Sequence, residues 1–358
     1  MSDNDKLKII GDLGNSLIKM IFVFPDGSRE ELVFPHAVVP ISQENFQNIK
    51  DKFGASEFGE PSYFELDGQP YVVGELAEQY GMVDRRSSNV KYTRDYYGVL
   101  FVEGLMRVIP EGHDNIEAFV CHPALDQGYR KNQMKALKGE FKVSTSGKNN
   151  VKYHVRYINT YLEPVGGLMN IVLDDTGRVD NSVEDDGRVL IFDVGGRITN
   201  VVPFNNLTGE IEYDNARSAP VGILNVLEDL EQGLRTRYED RFSKTRIIPM
   251  DRLRNALRTG YYRGGGDQIP CEDEIDRAMN ILLSRLHSIY FEHAGGPQVY
   301  DSIYITGGGG GAAERVMREK FLDHKRVFLA ETPDEMHMAN VRGGDKLLTM
   351  LENLNDMK

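Results

Sequence analysis

The chain has 358 residues, 40% of them hydrophobic and 27% charged, which is the composition of a soluble globular protein long enough for two domains. Its formal net charge of -13 repels nucleic-acid phosphate and anionic lipid, so neither direct DNA binding nor membrane-surface binding is expected. The two cysteines, Cys121 and Cys271, exclude a disulfide framework and a cysteine metal site; without a signal peptide or an apolar run of about 18 residues, a reducing cytoplasm is the expected location.

The first strand is expected over Lys8–Gly11, ending at Asp12, with a second through Ile18–Phe24 and a third over Glu31–Phe34. Short turns join them, which reads as a hairpin meander. From Pro35 to about Thr93 the pattern is polar and irregular, apart from a strand pair around Tyr63–Val73, and suggests a small inserted subdomain. Tyr96–Val108 is apolar and long enough for a buried helix, Glu117–Val120 is a strand, and Gln133–Lys138 continues a helix that stops at Gly139. Tyr153–Ile158 reads as a strand, after which Glu163-Pro164 opens the next segment.

A turn-rich acidic stretch, Asp174–Gly187, divides the chain, and then the opening pattern returns. Val189–Phe192 is an apolar strand ending at Asp193; Gly195-Gly196 and a second strand over Thr199–Pro203 follow. Further on, Ile275, Met279, Leu282, Leu283, Leu286 and Ile289 recur at helical spacing. Ser302–Ile305 is a strand, Gly307–Gly311 a glycine run, and Ala312–Phe321 a helix. Gly264–Gly266 reads as a mobile loop, and Tyr92, Tyr96 and Tyr97 as core or hinge packing rather than a base-stacking platform.

Three segments carry chemistry. In GDLGNSLIK, Gly11–Lys19, a strand delivers Asp12 into a turn that bends at Gly14, where backbone N–H groups can approach a phosphate. Ser16 adds a hydroxyl, Lys19 a point charge, and Asp12 can hold Mg²⁺ through water. The plainer alternative is a hairpin turn with ordinary polar residues. IFDVGGRITN, Ile191–Asn200, repeats the logic, and the pairing of the two turns favours a shared phosphate ligand. In YITGGGGGAAERVM, Tyr304–Met317, a glycine loop opens a helix, which suits close packing against a flat ligand or a phosphate at the helix N-terminus.

In that order, these segments resemble the actin-like ATPase superfamily, and within it the plasmid-segregation ParM/StbA proteins and archaeal actin-like proteins. FVCHPALDQGYRKNQMKALKGEF, SAPVGILNVLEDL (Ser218–Leu230) and MANVRGGDKLL (Met338–Leu348) are similar to further segments of that group, so the resemblance covers nearly the whole chain. It implies an α/β, actin-like ATPase fold, with two RNase H-like domains flanking a nucleotide cleft. One domain is expected over residues 1–187 plus 330–358, with its insertion at about 35–93, and the other over 188–329.

The resemblance also implies roles. Asp12 and Asp193 would organise Mg²⁺ and its waters. Gly14, Asn15, Ser16 and Lys19 would form the first phosphate loop, Gly195, Gly196 and Thr199 the second, and Gly307, Gly308 and Gly309 the adenosine loop. Glu163 would orient the attacking water; its alternative is a surface carboxylate capping the following helix. The second loop departs from the family pattern, because Arg197 and Ile198 interrupt it and Asn200 stands where an acid is usual. Arg197 is left between a phosphate contact and a solvent-facing position.

The implied function is a polymerising ATPase with ATP/ADP and Mg²⁺ as ligands, GTP remaining open. Its implied partners are its own copies, joined head to tail, and a DNA-binding adaptor for plasmid or DNA segregation. The alternative is a small-molecule kinase of the same superfamily that phosphorylates a hydroxyl or carboxylate without polymerising. A chaperone is disfavoured, since the chain ends soon after the Ala339-Asn340 helix with no room for a substrate-binding domain.

Overall fold

The computed structural model describes residues 6–53, 63–79, 93–122, 127–145, 148, 150–180, 187–206, 208–242, 248–264, 266–293, 299–310, 327–332 and 335–356. The expected helix over Ala312–Phe321, together with Gly311, Tyr92 and Pro123, lies outside them. Backbone contacts divide the chain into two compact units, Met1–Leu162 and Glu163–Lys358.

The first unit opens with the expected meander, β1 (Leu7–Leu13), β2 (Leu17–Val23) and β3 (Arg29–Pro35). Asp26 accepts bonds from the backbone N–H and hydroxyl of Ser28, and Gly27 takes a positive φ of 84°, so the second turn is fixed by local chemistry. β4 (Val38–Pro40), α1 (Gln43–Phe53), β5 (Tyr63–Leu66), β6 (Gln69–Val73) and α2 (Gly74–Gln79) follow. A π-helical turn, Arg94–Gly98, runs into α3 (Val99–Val108), and then come β7 (His113–His122), α4 (Gln127–Leu137), β8 (Gly139–Ser144) and β9 (Val151–Leu162). The strands form one sheet in the order β3-β2-β1-β7-β9-β8-β5-β6-β4, with β1, β7 and β9 parallel. The segment expected as an inserted subdomain thus lends β4, β5 and β6 to one end of the main sheet, joined through β5 and β8.

α3 is buried from Val99 to Met106 and apolar there except for Glu103, which pairs with Arg107 at 2.8 Å. Such a helix belongs inside a core, and it packs with β1, β2 and β7 residues in one cluster. Tyr96 and Tyr97 are buried there, as core packing requires. Gly139 ends the preceding turn at φ 107°.

The second unit begins with α5 (Glu163–Val172) and then repeats the opening arrangement. β10 (Arg188–Val194) pairs antiparallel with β11 (Thr199–Asn205), which pairs with β12 (Glu210–Ile211) and β13 (Arg217–Ala219). α6 (Ile223–Arg237), α7 (Glu239–Phe242), α8 (Met250–Thr259), β14 (Tyr261–Gly264), β15 (Asp267–Pro270) and α9 (Glu272–His293) lead to β16 (Ser302–Thr306), β17 (Val327–Leu329) and α10 (Ala339–Asp356). The sheet order is β12-β11-β10-β16-β17, with β10, β16 and β17 parallel. The apolar stripe of α9 packs on this sheet together with residues of α6.

Of the expected loop Gly264–Gly266, Gly264 closes β14 and pairs with Asp267 of β15, and Tyr262 and Ile269 of that hairpin are buried against α6 and α8. The acidic stretch begins as a packed turn. Asp174 Oδ1 accepts from Thr176 N and Arg178 N, and Gly177 lies so close to α10 that a Cβ would stand 2.6 Å from Met350 N. α5 and α10, which the sequence reading grouped with the first domain, pack on each other inside the second unit.

Candidate functional site

Asp12 lies on β1 directly across from Lys19 on β2. Both are buried, and Lys19 Nζ stands 2.5 Å from Asp12 Oδ2. A buried carboxylate needs an opposite charge, and the antiparallel register of β1 and β2 supplies it. Gly14, Asn15 and Ser16 form the turn between the strands. A Cβ on Gly14 would sit 3.3 Å from both Asp12 Oδ1 and Lys19 Nζ, so glycine keeps that face of the ion pair uncovered.

In the second unit Asp193 of β10 lies across from Asn200 of β11, the register that Asp12 and Lys19 share in the first. Asp193 is buried, and both of its oxygens are met by amides: Oδ2 by Asn200 Nδ2 at 3.3 Å and Oδ1 by Asn340 Nδ2 at 3.2 Å. The Asn200 Nδ2 also reaches Glu163 Oε2 at 3.5 Å, while its Oδ1 accepts from Ser218 Oγ at 2.6 Å. The ionised carboxylates of Asp193 and Glu163 only accept, which fixes Nδ2 as the end of the amide that faces them. Asn200 therefore links the two carboxylates expected to be catalytic, where a carboxylate in its place would add a third negative charge.

Glu163 is the first residue of α5 and half-buried. An acid in the first helical turn suits the helix dipole, as the capping alternative requires, and the same position places it beside Asn200. α5 is held by glycine contacts. A Cβ on Gly167 would be 2.3 Å from Thr306 Oγ1, and one on Gly343 of α10 would be 1.7 Å from Gly166 O. The AN-x-x-G segment thus has two tasks: Asn340 orients Asp193, and Gly343 lets α10 cross α5. Asp193 Oδ1 only accepts, which fixes Asn340 Nδ2 as the donor end, and Thr306 Oγ1 then donates to Asn340 Oδ1 at 2.8 Å.

The second loop is anchored by α6. Gly195 N donates to Ile198 O at 3.0 Å, closing the turn. The first N–H groups of α6, which have no partner within the helix, donate to the loop: Ile223 N to Gly195 O at 3.1 Å and Leu224 N to Gly196 O at 2.8 Å. Gly222 permits this approach, since a Cβ there would stand 2.5 Å from Gly195 O. Thr199 is fully buried, and its hydroxyl donates to Val221 O at 2.8 Å, so it ties the PVG segment to the loop. Arg197 pairs with Glu228 of α6 at 2.9 Å, and both side chains are exposed.

The third loop follows β16. Gly307 has φ 83°, and a Cβ on it would stand 2.5 Å from Asp193 Oδ1 and 2.6 Å from Val194 O. Gly309 N donates to Val194 O at 2.8 Å. Among the described residues, a Cβ on Gly308 would meet only His337, at 3.5 Å. Two of the three glycines are required by packing against β10, and the third by nothing among the described residues.

Within each unit the donors are of the kind that a magnesium nucleotide takes. Mg²⁺ takes oxygen ligands and keeps its waters, which suits buried carboxylates at turns, and a lysine ammonium suits phosphate. Sequence reasoning singled out both aspartates, Glu163 and the three loops as candidates. It passed over Asn200 as a departure from a pattern, and it had no signal for Asn340 and Gly222 beyond the segments that contain them.

Residues 11–166 match the family model described as actin-like proteins, N-terminal domain. No curated protein sequence matches the chain. Among solved structures, the actin-like protein Alp7A superposes with a TM-score of 0.71 at 16% identity, over 98% of each chain. An archaeal actin homolog in complex with ADP gives 0.69 at 14% identity, over 96% of this chain and 99% of that one. A ParM from a 15-stranded filament of Clostridium botulinum gives 0.67 at 18% identity, over 96% and 99%. The chain has the actin-like fold, and residues 11–166 are similar to the N-terminal domain of actin-like proteins.

Proposed function

We propose that this protein binds and hydrolyses a Mg·nucleoside triphosphate, ATP in the first instance, and assembles head to tail into dynamic filaments. The observation that carries the reading is the Asp193–Asn200–Glu163 cluster: two carboxylates tied by one oriented amide, beside a glycine loop that a single Cβ would close. The fold supports it, because solved proteins of this shape include one with ADP and one from a filament. The sheet repeated in each unit gives each unit one carboxylate turn.

Bound Mg²⁺ would offset phosphate charge and order water. Asp12 and Asp193 are the residues to hold it through that water. Lys19 would exchange its bond to Asp12 for a phosphate oxygen, since an ammonium on a flexible stem can serve either anion. Glu163 would align the attacking water and accept its proton, with Asn200 holding the carboxylate in one orientation. The acidic chain would reach DNA through an adaptor, consistent with its net charge of -13, and segregation of a plasmid or other DNA is the proposed use.

The test is sedimentation and light scattering with Mg·ATP, Mg·GTP, a non-hydrolysable analogue and no nucleotide. Scattering that rises only with nucleotide and decays as phosphate appears is the expected result. Turnover by a protein that stays monomeric or dimeric at high concentration would reject the filament and favour a small-molecule kinase.

A further inference from the structure

His36, between β3 and β4, is buried and touches the first loop twice. Its backbone N–H donates to Ser16 O at 3.1 Å, and its ring Nδ1 makes a short bond with Gly14 O. A carbonyl oxygen only accepts, so Nδ1 carries the hydrogen. In the neutral ring Nε2 is then an acceptor, and Tyr96 OH lies 3.0 Å from it, with the two rings 5.5 Å apart. Tyr96 belongs to the buried π-helical turn, so the imidazole is braced from behind by the core.

A trans peptide points its C=O and the next N–H in opposite directions. No peptide among the described residues is cis. Turning the carbonyls of Gly14 and Ser16 toward His36 therefore turns the N–H groups of Asn15 and Leu17 away from it. The second loop is built on the same principle by other means. There the N-terminus of α6 takes the carbonyls of Gly195 and Gly196, which turns the N–H groups of Gly196 and Arg197 the other way. The first loop has no helix N-terminus bonded to its carbonyls among the described bonds; a histidine side chain and its own backbone N–H stand in for one.

We infer that His36 is a positioning residue for nucleotide binding: it presets the first loop so that Asn15 and Leu17 present their N–H groups to phosphate, and Tyr96 holds it in the tautomer that does so. The inference rests on the nucleotide-binding reading above. It concerns ground-state binding of the phosphates and not the proton transfer at Glu163, so it predicts a split between KM and kcat.

The experiment compares wild type with His36→Leu, His36→Gln and Tyr96→Phe, using Mg·ADP affinity, steady-state turnover of Mg·ATP and the melting temperature without nucleotide. Glutamine is the conservative variant, since its amide can donate to Gly14 O. The expected result for His36→Leu is about tenfold weaker Mg·ADP binding and a similar rise in KM, with kcat within about twofold of wild type, as for one lost oriented hydrogen bond. His36→Gln recovers most of that affinity, and Tyr96→Phe falls between. Should His36→Leu not fold, Gln and Phe still decide: wild-type affinity in Tyr96→Phe together with a tenfold loss in Gln overturns the inference. So does a folded His36→Leu with wild-type affinity. A wild type that binds no nucleotide removes the underlying reading as well, whereas wild-type binding with an unaffected Leu variant removes this inference alone.

Discussion

Asn200 faces Asp193 across β10 and β11 at the register where Lys19 faces Asp12 across β1 and β2. One geometry is thus used with two chemistries. In the first unit the partner of the carboxylate is a cation, at 2.5 Å. In the second it is a neutral amide, at 3.3 Å, which also reaches Glu163. The difference separates the proposed tasks: a cation can be exchanged for phosphate, while an amide orients two acids without neutralising either.

Removing each member of the cluster should therefore give a different signature. Asp193→Ala is expected to abolish Mg-dependent turnover. Glu163→Ala should still bind nucleotide but hydrolyse about 10²- to 10³-fold more slowly, the range of a lost general base. Asn200→Ala should fall between them, with kcat lowered and affinity nearly kept, and Asn200→Asp should be worse than Ala because it crowds a third carboxylate against the other two. Phosphate-release rates beside nucleotide affinities read all four. Turnover at the wild-type rate in both Asp193→Ala and Glu163→Ala would sink the site.

The glycine loop separates packing from binding. Gly307→Ala places a methyl group 2.5 Å from Asp193 Oδ1 and forces alanine to φ 83°. The conformation alone costs about 1–2 kcal/mol, before the clash is counted. Gly308→Ala has open space up to 3.5 Å and should leave the nucleotide-free melting temperature unchanged. If Gly308 faces adenosine as proposed, the same variant weakens nucleotide binding. Equal affinities for Gly308→Ala and wild type would remove Gly308 from the site while leaving Gly307 in its structural place.

Much of this was legible in the sequence. Apolar strands that end in a carboxylate and a glycine turn announce themselves locally, and both were found to within a residue or two: Lys8–Gly11 became Leu7–Leu13, and Val189–Phe192 became Arg188–Val194. α4 was found only in its second half, because Gln127–Asn132 is polar and has no apolar periodicity. Contacts between distant segments left no local trace. Gly343 looks like a helix-weakening residue until Gly166 is placed against it, and Asn200 looks like a lost acid until Glu163, Asp193 and Ser218 surround it. The strands that flank Gly264 were hidden for the opposite reason: consecutive glycines signal freedom, whereas Tyr262 and Ile269 beside them are buried.

Gly343 gives a prediction about stability. A Cβ there would lie 1.7 Å from Gly166 O and 2.7 Å from Asn170 N, both backbone atoms that cannot swing aside. Gly343→Ala must push α10 away from α5, at a cost of about 3 kcal/mol by the scale of overpacked cores. Because α5 carries Glu163 and α10 carries Asn340, the folded fraction of this variant should also turn over slowly. Denaturant unfolding followed alongside phosphate release at low temperature checks both. A variant as stable as wild type would show that the two helices do not cross as closely as described.

The Asp12–Lys19 pair gives the last prediction. Both groups are buried, so Lys19→Met leaves a carboxylate in the interior without its cation, which typically costs about 3–5 kcal/mol. Asp12→Asn in the same chain removes that stranded charge, and the double variant should regain most of the lost stability. It should not regain nucleotide turnover, because Lys19 is proposed to contact phosphate and Asp12 to hold the ion's water. A double variant that recovers both would make the pair a purely structural feature of the β1–β2 hairpin; one that recovers stability alone assigns the two residues to the nucleotide.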